Sequence, residues 1–325
     1  MYGRNEPAYV RRKACGCAAQ RSEIPAAMSA AAAAAGLDFL SGRVPALFYA
    51  QTGEAAWQGI LISGFMFGLL NWGLGHLKRR SCARNLDQLL HRLPGGAAGM
   101  GIRLLRDLIL LAAAYMLASV AGHAGALMLP VRGARAWASA AALLAAAVLA
   151  GAGGAAMWAW GAVFAAASMM FLASLLVWGR LPPEMGMYRA LELRLEGSFS
   201  AALLFALAHS CLCMCMTAGM TVKTVGMRVR PGRLGFWSGL FFAALLFAGN
   251  AVFARGEEVL PALGFPFAAL AGGWGSAGFY ITAALIFASS VYALACIFHG
   301  RFSFGREHFL FRKMMLNYEN SHEFN

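Results

Sequence analysis

Few side chains in this sequence could do chemistry, and most of those that could sit inside long apolar stretches. Asp38 is the most telling, because a carboxylate far from water is costly and persists where it pairs or works. It could attract an amine, take up a coupling proton, or form an ion pair with Arg43. His123, in the string AGHAG, and His209, in FALAH, could relay protons or stand neutral with a neighbour satisfying each ring. Ser289 and Ser290 are adjacent hydroxyls that either bond back to the preceding turn or offer oxygen to a hard cation. Asn71 and Asn250 read as hydrogen-bonding glue between helices.

Cys211, Cys213 and Cys215 suggest a ligand set, but on a helix Cys213 faces away from the other two, so small apolar packing is the better reading. The seven cysteines form neither a disulfide framework nor a zinc site. No HExxH, GxSxG or P-loop string occurs, and YRALELRLEG at 188–197 reads as an amphipathic surface helix. No enzyme chemistry, cofactor or catalytic metal is therefore expected.

The elements that must position these groups follow from composition. Of 325 residues, 60% are apolar and 13% charged, more apolar surface than a soluble domain can hide. A helix needs roughly 20 apolar residues to cross the hydrocarbon core. Eight stretches qualify: 24–51, 55–77, 102–129, 135–153, 156–179, 198–222, 234–254 and 273–299. The fold class expected is an all-α polytopic membrane helical bundle of eight transmembrane helices, with a basic leader at 1–23, a membrane domain at 24–300 and a tail at 301–325. The fourth and fifth stretches are parted only by Gly151 to Gly154, so one long broken helix is the alternative. Two spans fit better, since about 45 apolar residues exceed what a single tilted helix can use. The Ala30–Ala35 run reads as close-packing surface.

Charge gives the orientation. Eighteen of the 27 Lys and Arg lie in 1–23, 78–92, 223–233 and the segment after Gly300, which alternate with the remaining loops. Cytoplasmic loops carry such an excess, so both termini are expected in the cytoplasm and the chain in the cell (inner) membrane as a multi-pass protein. The net charge of +13 then reflects topology and attraction to anionic lipid rather than nucleic acid. A cleaved signal peptide is the rival reading of 1–36, but the apolar stretch continues through Phe48 behind a long leader. The tail is mixed and polar and reads as an amphipathic segment on the inner surface.

From Ala35, the run AGLDFLSGRVPALFYAQTGEAAWQGILIS resembles the opening of the YkvI-like membrane proteins, with Ser41, Gly42, Phe48, Tyr49 and Gly53 in register. MLASVAGHAGALMLP at 116–130 resembles that family's third helix, FALAH at 205–209 its sixth, and LPALGFPFAALA at 260–271 its extracellular helical hairpin. The family is similar to the amino acid, polyamine and organocation transporters, whose LeuT-type fold inverts two five-helix repeats. The resemblance implies that spans 1 and 6 are broken, with substrate and coupling ion held at the midplane against unwound backbone. Substrate contacts are then expected at Gly36, Leu37, Asp38 and Phe39 in span 1 and at His209 and Ser210 in span 6. Sodium as a coupling ion would sit between the carbonyls of Ala32 and Ala35 and the hydroxyls of Ser289 and Ser290.

Span 1 carries its own sign of a break, since Gly36 and Gly42 bracket Leu37 to Ser41 and Pro45 removes a backbone donor. The break in span 6 rests on the resemblance. The function implied is secondary transport of a small organic solute, sodium- or proton-coupled, by alternating access. An ionised, unpaired Asp38 would favour an amine over a carboxylate. No further span follows Gly300, so the chain resembles a LeuT-type fold lacking its last two helices. The alternative function is accordingly a membrane sensor or regulator, or a truncated, inactive relative of the transporters.

Overall fold

The structure, a computed structural model, describes residues 23–36, 39–81, 83, 85–91, 96–129, 131–152, 154–180, 199–225, 229–253 and 265–302. Among these residues it is an all-α helical bundle, and seven helices are long and apolar enough to cross a membrane. They are α3 (Ala56–Ser81), α5 (Gly96–Met128), α6 (Ala134–Gly151), α7 (Gly154–Trp178), α8 (Phe199–Val225), α9 (Pro231–Phe253) and α11 (Ser276–Phe302). Short helices α4 (Leu86–His91) and α10 (Pro266–Ala271) lie on the connections. The chain is a multi-pass membrane protein. Many large apolar side chains, such as Phe65, Leu111, Leu144 and Met170, are exposed on the outside of the bundle, as suits a lipid environment, with Trp57, Trp137, Trp178 and Tyr280 near one end of it.

The remaining stretch expected to cross, 24–51, is not among the seven. Helix α1 covers 23–35, residues 36 and 39–42 form turns, and the next described helix is α2 (Arg43–Phe48), followed by a 3-10 turn at Ala50–Ala55. The sequence gives the local reasons. Gly42 caps α2 with φ 88°, a left-handed conformation that costs glycine nothing. Pro45 lies in the first turn of α2, where its missing N–H would have had no helical partner. The backbone between the two pieces is held by turns: Phe39 N–H donates to Ala35 O at 3.2 Å, and Gly42 N–H to Phe39 O at 3.0 Å. Ser41 O accepts from Phe267 N–H of α10 at 3.2 Å.

The largest differences from the sequence reading are at the end of α3 and the start of α5. Helix α3 continues through Lys78, Arg79 and Arg80, and α5 begins at Gly96, several residues before 102. Long basic side chains can lie along an apolar surface while their charged ends reach polar atoms, so basic residues do not end a helix there. The fourth and fifth spans are two separate helices, with Ala152 as the C-cap of α6.

Packing sorts the bundle into two groups. Helices α3, α8 and α9 pack together, as do α5, α6 and α11, while α7 touches α9 and α11 and α8 lies along α11. Helix α1 runs through the core. Its alanines from Ala30 to Ala35 are at most 5% exposed, as suits a helix that is apolar all round. Glycines set the approach of α3 to α9. A Cβ at Gly68 would lie 2.8 Å from Gly235 O, and one at Gly235 would lie 2.7 Å from Gly68 O. Such small-residue faces let helices gain contact where no hydrophobic drive exists between them.

The face on which α1 begins is laced by polar links. Glu23 is 2% exposed; it accepts from Arg230 N–H at 3.2 Å and pairs with Arg233 at 3.4 Å at the start of α9. Lys78 donates to Val222 O, Lys223 to His299 O, and His299 Nδ1–H to Ala150 O. These donors meet carbonyls in the last turns of α8, α11 and α6, where helix C-termini favour positive charge. Asp107 takes both guanidinium nitrogens of Arg301, at 2.5 and 2.9 Å, while Arg106 binds Asp107 and Asp87.

The glycine seam yields a paired prediction. Gly68→Ala should lower stability by about 1–3 kcal/mol through overpacking against backbone. Gly73→Ala, which meets nothing within 4 Å, should be neutral or stabilising. Thermal unfolding in detergent measures both; equal effects would contradict the close approach of α3 and α9.

Candidate functional site

The gap between α1 and α2 is where the bundle departs most from regular helix. Residue 36 lies about 20 Å along α1 from its start at 1.5 Å per residue, well inside a hydrocarbon core of about 30 Å if α1 starts at one face. Backbone that leaves the helix at this depth is tolerated only where protein or a cavity surrounds it.

Helix α11 comes closest to this point. A Cβ at Gly36 would lie 2.7 Å from both Ser289 O and Ala293 Cβ, so only glycine allows the contact. Of the residues expected at an ion site, the structure therefore brings Ser289 against the end of α1. The carbonyls of the pair's partners are occupied by turns: Ala32 O accepts from Gly36 N–H at 2.8 Å, and Ala35 O from Phe39 N–H. The hydroxyls of Ser289 and Ser290 donate to Ile286 O at 3.0 and 2.9 Å, the back-bonding to the preceding turn that serines in membrane helices commonly make. Each oxygen keeps lone pairs, the feature a hard cation needs.

Of the residues expected to meet substrate, Leu37 and Asp38 lie outside the described residues, as do 188–197, 303–325, Glu257 and Glu258. Phe39 is buried and turned toward α9, where its ring would meet a Cβ placed at Gly249. Arg43 lies over the Phe265 ring at 5.3 Å.

The expected break at His209 and Ser210 is corrected by the structure, because α8 runs unbroken from Phe199 to Val225. The sequence explains this: no glycine or proline precedes Gly219 in α8, and Ser210 Oγ donates to Ala206 O at 2.7 Å within the helix. His209 is nonetheless at the centre of a buried polar chain. Its Nδ1 is 2.8 Å from Tyr49 Oη, which lies 2.6 Å from Ser63 Oγ, and Ser63 donates to Ala206 O at 3.1 Å. Ser210 Oγ also reaches Ser63 O at 3.1 Å. Aromatic rings enclose the imidazole: Phe48 stacks on it at 5.0 Å, Phe242 lies at 5.4 Å and Tyr49 at 5.7 Å. The chain joins the turn after α2 to α3 and α8.

A second buried polar contact fixes the other piece of span 1. Ser29 of α1 meets Tyr292 of α11, whose hydroxyl donates to Met157 O of α7 at 3.0 Å. His123 has the plain role open to it, bonding Ser119 O one turn back at 2.9 Å. Asn71 accepts from Thr221 across α3 and α8 at 2.7 Å, as interhelical glue. Cys213 is buried, with its thiol toward Ala34 O, while Cys211 is exposed. Among the described residues no three His, Cys, Asp or Glu side chains converge as a metal set.

Ser63, Tyr292 and Ser29 carried no sequence signal beyond being polar in a span. Tyr49 stood out only as a position in register with the resemblance. No family model, curated protein or solved structure matches this chain.

The contact at Gly36 is directly testable. Gly36→Ala should push span 1 from α11 and lower stability by about 1–3 kcal/mol, measured by thermal unfolding. An unchanged unfolding midpoint would mean that α1 and α11 do not meet there.

Proposed function

We propose that this chain is a secondary transporter of a small organic solute, an amine or amino-acid-like molecule, working by alternating access with sodium or protons as coupling ion. The observation that carries this reading is the pair of helices α1 and α2, parted by turns at 36 and 39–42 and packed among α3, α7, α8, α9 and α11. Ends of helices inside the bundle present partly used amides and carbonyls, which suit a solute carrying opposite charges or hydrogen-bonding groups. The two packing groups, α3 with α8 and α9, and α5 with α6 and α11, supply two bodies that can rock about the seam containing span 1. This arrangement supports the first eight helices of a LeuT-type fold, within the YkvI-like resemblance.

In this reading the face where α1 begins is cytoplasmic and the membrane is the cell membrane. Lys78, Arg79, Arg80, Lys223, Arg230, Arg233 and Arg301 all lie near that face, as positive charge does on the cytoplasmic side. The polar links across it close the bundle on that side. Single-cysteine labelling with an impermeant reagent in intact cells should modify position 190 and leave position 85 untouched. The reverse pattern would overturn the orientation.

One observation favours the other reading, a sensor or inactive relative on the same scaffold: α8 is continuous where a transporter of this type is expected to be broken. Ion dependence separates the two. If sodium binds between α1 and α11, it should raise the unfolding midpoint of the purified protein over potassium at equal ionic strength. The double change Ser289→Ala, Ser290→Ala should abolish that difference. Uptake of radiolabelled amines and amino acids into proteoliposomes, tested with sodium and with proton gradients, decides the rest. Absence of uptake under every gradient, from protein shown to be folded, would favour the non-transporting reading.

A further inference from the structure

We propose that His209 is a proton-binding group and that its protonation opens the seam between α2 and α8. The inference deepens the transport reading, on which its role in coupling rests. It names the proton as the ion this site takes.

Ser63 Oγ has one proton, which the proposal assigns to Ala206 O at 3.1 Å, an atom that can only accept. Ser63 then accepts from Tyr49 Oη at 2.6 Å, a contact in which either oxygen could donate, and this commits the single phenolic proton. Tyr49 Oη is left to accept from His209, so the ring carries its proton on Nδ1. Nε2 is then the bare nitrogen, and no described residue bonds it. A ring that is 1% exposed thus holds an unused acceptor.

What could fill it follows from the surroundings. Phe48, Phe242 and Tyr49 cover the imidazole at 5.0 to 5.7 Å between centroids, which leaves no room for a solute without repacking. A proton needs none. Once Nε2 is protonated, the ring is a cation with a second N–H to satisfy. The aromatic faces can favour a cation, but they accept no strong hydrogen bond.

No described charged group faces the ring to pair with it. The elements packed on it offer Tyr49 from the turn after α2, Ser63 from α3 and Phe242 from α9, while Cys213 stands one turn along α8. Arg43, at the other end of α2, lies over Phe265. Asp38 belongs to the undescribed stretch of span 1. A buried cation lacking an acceptor is unfavourable in this packing and favourable in one that admits water or an acceptor. The movable partner is the short α2 and its turn, which hang between Gly42 and the 3-10 turn at Ala50–Ala55. Proton uptake at His209 would therefore bias the bundle toward separation of α2 from α8, starting from the face remote from the start of α1.

The test uses the full chain in lipid nanodiscs. Isotope-labelled histidine NMR should show His209 with Nδ1 protonated and Nε2 bare at neutral pH, and Tyr49→Phe should erase that preference. Acidification should then protonate Nε2. In the same pH range, a thiol reagent should modify Cys213 faster, by about tenfold over His209→Gln, in a background where the other cysteines are replaced. Acid by itself slows thiol chemistry, so acceleration reports opening. A proton on Nε2 at neutral pH, a ring that stays neutral while the protein remains folded, or protonation without faster Cys213 labelling would each overturn the proposal. Should His209→Gln fail to fold, the wild-type titration followed by NMR and Cys213 labelling together still decides. Uptake driven by sodium and unaffected by His209→Gln would sink proton coupling and leave the transport reading standing. Intact protonation and opening with no uptake of any solute would sink the transport reading alone.

Discussion

Backbone amides and carbonyls have no water to bond inside a bilayer, and every departure from helix must therefore be repaid locally. The rest of this structure depends on how span 1 meets that constraint. Between α1 and α2 the chain satisfies itself by turns at Phe39 and Gly42, and Ser41 O finds Phe267 N–H on α10. The remaining helices bury the described residues of this interruption, 36 and 39–42. Alanine lets α1 pass through the core, and Gly36 lets α11 lie against its end. Polar contacts then pin the two pieces separately, Ser29 with Tyr292 below and Tyr49 with Ser63 and His209 above. A helix held in two pieces by different neighbours can move in two pieces.

The same small residues that allow close packing also divide the bundle. Glycines at Gly64, Gly68, Gly235 and Gly239 join α3 to α9 almost backbone to backbone, which makes that pair behave as one body. Between α8 and α11 one such glycine approach, Gly219 to Gly300, is joined by side-chain bonds such as Lys223 reaching His299 O. Side-chain bonds can be exchanged during a motion. The longer glycine seam of α3 with α9 makes that pair the more tightly joined.

Much of the fold was legible in the sequence because bilayer thickness imposes lengths that composition reveals. Seven helices coincide with apolar stretches of the sequence, and the differences are confined to ends such as Ser81 and Gly96, where basic side chains reach polar partners without ending the helix. The interruption of span 1 was legible too, because Gly36, Gly42 and Pro45 each have a backbone consequence independent of tertiary context. The straightness of α8 was equally written there, in the absence of glycine or proline before Gly219, and the expectation of a break came from resemblance instead. What could not be read was pairing. Tyr49 and His209 stand 160 positions apart, and nothing local to either residue announces the other. Ser63 looks like any serine in a membrane helix until α8 is laid beside it.

The central claim is that span 1 is interrupted inside the bundle, and backbone hydrogen exchange in lipid nanodiscs tests it most directly. Amides of residues 36 and 39–42 should exchange faster than those of 27–35, and faster than those of 205–213 in the unbroken α8, because turn bonds open more readily than bonds inside a helix. Uniform slow exchange from 27 through 48, at the level of α8, would mean a continuous first helix and would contradict the account.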